Sequence, residues 1–180
     1  MKLTKNHIIA DLHIHSKHSR GCSKDLDLDM LSKWGKIKGL NLLGTGDFTH
    51  PIWIQELKEK LKDLGKGVFE YNHMKFVLQT EISLIYSQEG KGRRIHIILL
   101  APSFDIVDKI TSYLLNRGRV DYDGRPIFKI PAYEFTKDMK EISEDIEIIP
   151  AHIWTPHFSL FGDYNQFSTV EQAFKDESKH

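Results

Sequence analysis

Five short apolar runs recur along this 180-residue chain, at 8–13, 40–44, 74–86, 95–101 and 146–151, and each carries a histidine, aspartate or glutamate at or near one end. The runs are rich in Ile, Leu and Val, which predicts strands able to bury both faces. Longer stretches with helical spacing separate them. In DLDMLSKWGKIKG (27–39) apolar residues recur at Leu28, Leu31, Trp34 and Ile37, and Gly39 is placed to stop the helix. PIWIQELKEKLKDLG (51–65) opens on Pro51 and closes at Gly65, and SFDIVDKITSYLLNRG (103–118) opens on Ser103 as an N-cap and closes at Gly118. The segment 132–143 also reads as a helix, whereas VDYDGRPIF (120–128) is turn chemistry, with Asp-Gly followed by Arg-Pro. Strand and helix alternate, so the expected class is α/β on parallel strands, with the polar residues collected at one face of a strand-helix barrel.

The bulk numbers narrow the field. At 180 residues one domain, spanning 1–180, is expected. Twenty-five Lys and Arg balance 25 Asp and Glu, so any contact with nucleic acid has to come from a local patch. Cys22 has no second cysteine to pair with, and neither a secretory pattern nor a spanning apolar segment is read at the N-terminus; a cytoplasmic protein without a membrane partner is the expectation.

Ten histidines make placement informative. In DLHIH, His13 and His15 are two apart, and on an extended strand such residues share a side and can hold one ion together; the pattern alone is equally that of a hydrogen-bonded strand end. In LLGTGDFTH, glycines precede Asp47, which either ligates a cation or caps the helix near Pro51. Glu81 interrupts the apolar run of VLQTEISLIY, where an unpaired charge is costly. His96 precedes the run IILL, and His152 follows IEIIPA; each alone is more often a core histidine than a ligand. Their recurrence at five successive runs is what favours a shared site.

The order of these residues, D-L-H-x-H, an acidic or histidine residue after the second run, Glu after the third, then His in each of two further runs, resembles the polymerase and histidinol phosphatase (PHP) domain superfamily. Within it, GTGDFTHPIW, QTEISLIYSQEGKGRRIHIILLAP, the DGRP turn and AHIWTPHFSLFG are most similar to the PHP domain of the endonuclease Q proteins, over nearly the whole chain. The resemblance implies a distorted seven-stranded β/α barrel with two to three divalent ions (Zn, Mn or Mg), and hydrolysis of DNA phosphodiesters on the 5′ side of deaminated bases such as uracil and hypoxanthine. It implies metal ligands at His13, His15, Asp47, Glu81, His96 and His152, with Glu81 as the bridge between a first ion on His13 and His15 and a second on His96 and His152. Asp47 would serve a third ion. The family's further histidine is replaced by Gly21, with His18 as a candidate substitute, and the sequence reaches DESKH before the family's closing D-x-H motif, so roughly the last two strands of the barrel are expected to be missing.

Such a centre needs no side-chain nucleophile, because bound ions acidify water and neutralise phosphate. Arg20 and Lys24 are candidates for substrate phosphate, the basic run at 91–94 for DNA, and Trp53, Trp154, Phe158 and Phe161 for stacking on a base; each equally suits a solvated loop or core packing. His50 and His157 stand near proposed ligands. The expected partner is damaged DNA; which repair partners, such as a sliding clamp, accompany it is not legible. Two other readings stay open: a phosphatase for small phosphomonoesters, and an inactive metal-binding module.

Overall fold

A computed structural model describes residues 7–180. The strands are β1 (Ala10–Asp11), β2 (Leu42–Gly44), β3 (Lys62–Asp63), β4 (Phe69–Tyr71), β5 (Met74–Gln88), β6 (Lys91–Ala101), β7 (Ile127–Phe128) and β8 (Glu147–Pro150). The helices are α1 (Leu28–Ile37), α2 (Pro51–Lys60), α3 (Phe104–Leu115), α4 (Ala132–Ile142) and α5 (Val170–Phe174), followed by a 3-10 turn at Lys175–Lys179. Among the described residues no helix is long and apolar enough to cross a membrane.

The sheet is open and mixed, which corrects the parallel expectation. Strands β1, β2 and β5 run parallel, as do β5 and β7, but β5 and β6, β6 and β8, and the ribbon β3, β4, β5 are antiparallel. The reason lies in SQEGKG: Glu89 and Gly90 take positive φ (54° and 72°) and turn the chain straight back, so that β5 and β6 form one long hairpin. Because the antiparallel pairing of the hairpin runs from Gln88 and Lys91 to Leu78 and Ala101, the apolar runs at 74–86 and 95–101 extend further than the hydrophobic pattern indicated.

Strand β5 is the organising element. Its first residues sit between β2 and β4, and its later ones between β6 and β7. On the flank shared by β2 and β7, backbone pairing to β5 reaches the Gln79 carbonyl and resumes only at the Ser83 amide, which donates to Pro126. Glu81 lies in that gap.

The helices follow local rules with two departures. Asp27 and Ser103 cap α1 and α3 by accepting from Met30 and Ile106 amides. Helix α2 stops at Lys60 rather than at Gly65, because Lys62 and Asp63 are drawn into pairing with β4. In α1 the buried residues are Leu28, Leu31, Ser32 and Gly35, while Trp34 and Ile37 are exposed: an i+3 series drifts off the face that meets Leu43 and Met74.

Trp53 belongs to the core. It is fully buried, and its Nε1–H donates to the carbonyls of Gly46 (2.8 Å) and Thr45 (3.1 Å), fastening α2 under the loop that follows β2. Trp53→Phe keeps most of the buried ring but leaves both carbonyls short of a donor. A loss of about 1–3 kcal/mol is expected, read as a lower urea midpoint, and an unchanged midpoint would contradict this anchoring role.

Candidate metal centre

Glu81, near the middle of β5, brings four of the histidines together. Its Oε1 lies 3.1 Å from His13 Nε2, 3.0 Å from His96 Nδ1 and 3.5 Å from His152 Nε2. Its Oε2 lies 3.0 Å from His15 Nε2 and 3.1 Å from Arg125 Nη1. Two sets of three donors that could hold an ion result, His13, His15 and Glu81, and Glu81, His96 and His152, with Glu81 common to both. Although three imidazole nitrogens surround it, the buried Oε1 accepts no well-directed hydrogen bond. Nitrogen and oxygen donors converging on one another without a proton aligned between them are what a cation site requires, so the residues present fit divalent ions.

Each histidine arrives by a different route. His13 and His15 lie beyond β1, which ends at Asp11, so they stand on a loop rather than on the expected strand. That loop is fixed to its neighbour through Gln79, whose buried Oε1 accepts from the amides of Ile14 (3.3 Å) and Gly46 (3.2 Å). Gly46 has φ +68°, and a Cβ there would stand 3.0 Å from the His15 backbone, so the crossing of the two loops requires glycine. His96 pairs across from Ser83 in the hairpin, diagonal to Glu81 on the same face. The loop after β8 grips it on both sides: the His96 amide donates to Phe158, its carbonyl accepts from Ala151, and the Phe158 ring stacks on the imidazole at 4.5 Å. His152 stands in that same loop, its Nδ1 held 3.1 Å from the Thr155 hydroxyl.

Asp47 stands behind this cluster. Its Oδ1 is 2.8 Å from His15 Nδ1, and its Oδ2 accepts from the Ser16 amide and hydroxyl, both at 2.7 Å. Both oxygens are therefore engaged, and the aspartate orients His15 so that Nε2 faces Glu81. It does not cap α2; its own carbonyl accepts from the His50 amide. Asp47 and His152 hold positive φ (48° and 31°), conformations that cost a non-glycine residue energy and that the surrounding bonds impose.

The remaining candidates are spread around the centre. Arg20 is largely exposed with its Nε 3.6 Å from Asp123, and Lys24 Nζ is 3.5 Å from the Lys17 carbonyl. His18 stacks on His50 at 4.1 Å, away from the Glu81 cluster. In the basic run, Arg93 is buried over Phe167 and bonds the Asn165 carbonyl, a packing role. Of the aromatics, Phe158 covers His96, Phe161 lies under Trp154, and Trp154 itself is 77% exposed. The residue missed in the sequence is Arg125. The DGRP turn was legible as a turn, but nothing in it signalled that Arg125 would reach a glutamate 44 positions away.

The electrostatics are those of an anion held among bases. Burial alone would raise the Glu81 pKa, but the close approach of the His13, His15 and His96 rings outweighs it and holds the carboxyl far below the usual carboxylate range. Burial likewise works against protonation of His15, yet its bonds to Asp47 and Glu81 push its pKa up to about 9. His96 is lowered, chiefly by burial, with Arg125 and His152 adding to the effect against Glu81.

The His15 shift has a consequence for stability in the absence of divalent ions. Its value of about 9 lies above the ordinary 6.5, so the stabilisation from the protonated ring is complete below 6.5 and lost as pH rises through 9. The contribution of Glu81 has the opposite sign: its carboxyl is held low, so its stabilisation is present above the ordinary carboxylate range and is lost as pH falls. In chelator, the thermal midpoint is expected to fall between pH 6.5 and 9, and His15→Gln to remove that fall. A wild-type midpoint that does not change over this interval would contradict the pairing.

No family model matches the chain. Among curated proteins it is 37% identical, over 92% of its length, to an uncharacterized protein of Methanocaldococcus jannaschii, and 31% identical, over 91%, to an uncharacterized protein of Bacillus subtilis. It spans 21% and 45% of the lengths of those two relatives. Among solved structures it is similar to the lesion-specific endonuclease PfuEndoQ from Pyrococcus furiosus, with a TM-score of 0.80 and 32% identity over 93% of this chain and 39% of that one. It is equally similar, with a TM-score of 0.80 and 34% identity over 93% of this chain and 40% of the other, to endonuclease Q in complex with a 27-mer duplex substrate carrying an abasic lesion at the active site. The cluster on Glu81 thus sits in a fold that nearly all of this chain shares with a lesion-specific endonuclease.

Proposed function

We propose that the chain carries the catalytic metal centre of a PHP-type phosphodiesterase that nicks DNA on the 5′ side of a damaged nucleotide, as its likeness to endonuclease Q suggests. The observation that carries the reading is the shared, buried Glu81 carboxylate with four imidazole nitrogens within 3.5 Å of its oxygens. In this reading the matched fold is the larger part of a PHP barrel, and the abasic duplex bound by the neighbouring endonuclease Q adds an abasic site to deaminated bases as a candidate substrate.

His13 and His15 would hold one divalent ion, His96 and His152 a second, with Glu81 bridging. Ions held there would supply Lewis acidity, neutralising charge on the phosphodiester and acidifying water. The side chains of the protein supply the rest. Asp47 accepts from His15 Nδ1 and so keeps the Nε2 lone pair turned toward Glu81, and in this reading it would also serve a third ion. Phe158 stacks on the His96 ring, the Ala151 amide holds the His96 carbonyl, and burial of Glu81 keeps bulk water from competing for its oxygens. Arg20 and Lys24 would extend the cationic lining along the bound strand. Trp154 presents an exposed ring on the loop that carries His152, where an extrahelical base could stack.

The chain, supplied with Mn²⁺ or Mg²⁺, is expected to nick duplexes bearing a single deoxyuridine, deoxyinosine or abasic site while leaving the undamaged duplex intact. Glu81→Gln should slow nicking at least about 100-fold, and Asp47→Asn should weaken metal uptake about 10- to 100-fold. Release of phosphate from small phosphomonoesters without nicking would replace this reading with a phosphatase. Absence of both activities in a metal-loaded chain would leave a binding module.

A further inference from the structure

The turn at 121–126 is built to deliver one side chain. The Gly124 amide donates to the His18 carbonyl, Asp123 Oδ1 accepts from the amides of Arg20 and Arg125, and the Pro126 carbonyl accepts from Ser83 just beyond Glu81. A Cβ at Gly124 would collide with the Asp47 carboxylate and the Ser19 hydroxyl, so the turn backbone lies directly against the group that orients His15. From this support Arg125 sends Nη1 to Glu81 Oε2 at 3.1 Å.

That contact has the character of a temporary one. It uses a single nitrogen on a single oxygen already shared with His15 Nε2, whereas a lasting arginine–carboxylate pair in a buried site is typically two-pronged. The Nε and Nη2 donors of Arg125 have no partner among the described residues, and its side chain remains 38% exposed. Two divalent charges on Glu81 would repel the guanidinium. A tetrahedral oxyanion arriving at the same place would offer it the paired acceptors that Glu81 does not.

We propose that Arg125 binds the phosphate group of the substrate, and that it serves as the counter-ion of Glu81 only until divalent cations occupy the centre. The proposal rests on the metal-centre reading above. It assigns to one residue both a brake on metal uptake and the recognition of the scissile phosphate.

Two measurements on the chain test it, neither requiring turnover: Mn²⁺ binding followed by the loss of the free-ion electron paramagnetic resonance signal, and inorganic phosphate binding to the Mn²⁺-loaded chain followed by ³¹P line broadening. Arg125→Gln is expected to bind Mn²⁺ several-fold more tightly and phosphate at least about tenfold more weakly. Arg125→Lys keeps the charge and loses the fork, so it should take up Mn²⁺ like wild type and bind phosphate several-fold more weakly; it decides the matter if the glutamine variant does not fold. Unchanged phosphate affinity in either variant, or Mn²⁺ affinity unchanged or weakened in R125Q, overturns the proposal while leaving the metal centre intact. Wild-type chain that takes up no Mn²⁺ overturns both.

Discussion

A carboxylate set into the middle of a buried strand has to be compensated, because leaving it unpaired in a low-dielectric interior costs several kcal/mol. Glu81 is compensated entirely from other segments of the chain: His13 and His15 from the loop after β1, His96 from the antiparallel partner strand, His152 from the loop after β8, and Arg125 from the DGRP turn. None of these is within ten residues of it in sequence. The fold around the site is the set of constraints needed to bring them there.

Those constraints are mostly backbone hydrogen bonds to polar side chains rather than apolar packing. Gln79, on the same face of β5 as Glu81, ties the loops after β1 and β2 to each other, and Trp53 holds the second of them from below. The hairpin positions His96, and its backbone is then saturated by the His152 loop. Asp47 and His152 are held in left-handed conformations at the two ends of the arrangement. A site assembled in this way is preorganised: the donor atoms are in place with the protein's own bonds paying the conformational cost.

Which residues gather is more legible in the sequence than the architecture that gathers them. Glu81, the two histidines of DLHIH, His96 and His152 are legible as one group through their recurrence at successive apolar runs, because each histidine alone has a commoner structural explanation while a charge in an apolar run is costly unless compensated. The sequence marks Asp47 as a residue of the same group, but its contact with His15 Nδ1 is settled only by the crossing of the loops after β1 and β2. Strand direction is not legible in the apolar runs, because buried parallel and buried hairpin strands share the same composition, and it is decided by the two-residue turn at Glu89 and Gly90. Arg125 was invisible for a related reason. A turn motif states where the chain reverses, and which distant group its side chain meets is settled only by the register of β7 against β5.

In the proposed centre Glu81 would serve two cations at once. Electron paramagnetic resonance of the chain loaded with two equivalents of Mn²⁺ tests this most directly, because a shared carboxylate holds the pair about 3.5–4 Å apart and couples their spins. The expected spectrum is that of an exchange-coupled pair, lost in Glu81→Gln. Two uncoupled six-line signals in the wild-type chain would contradict it.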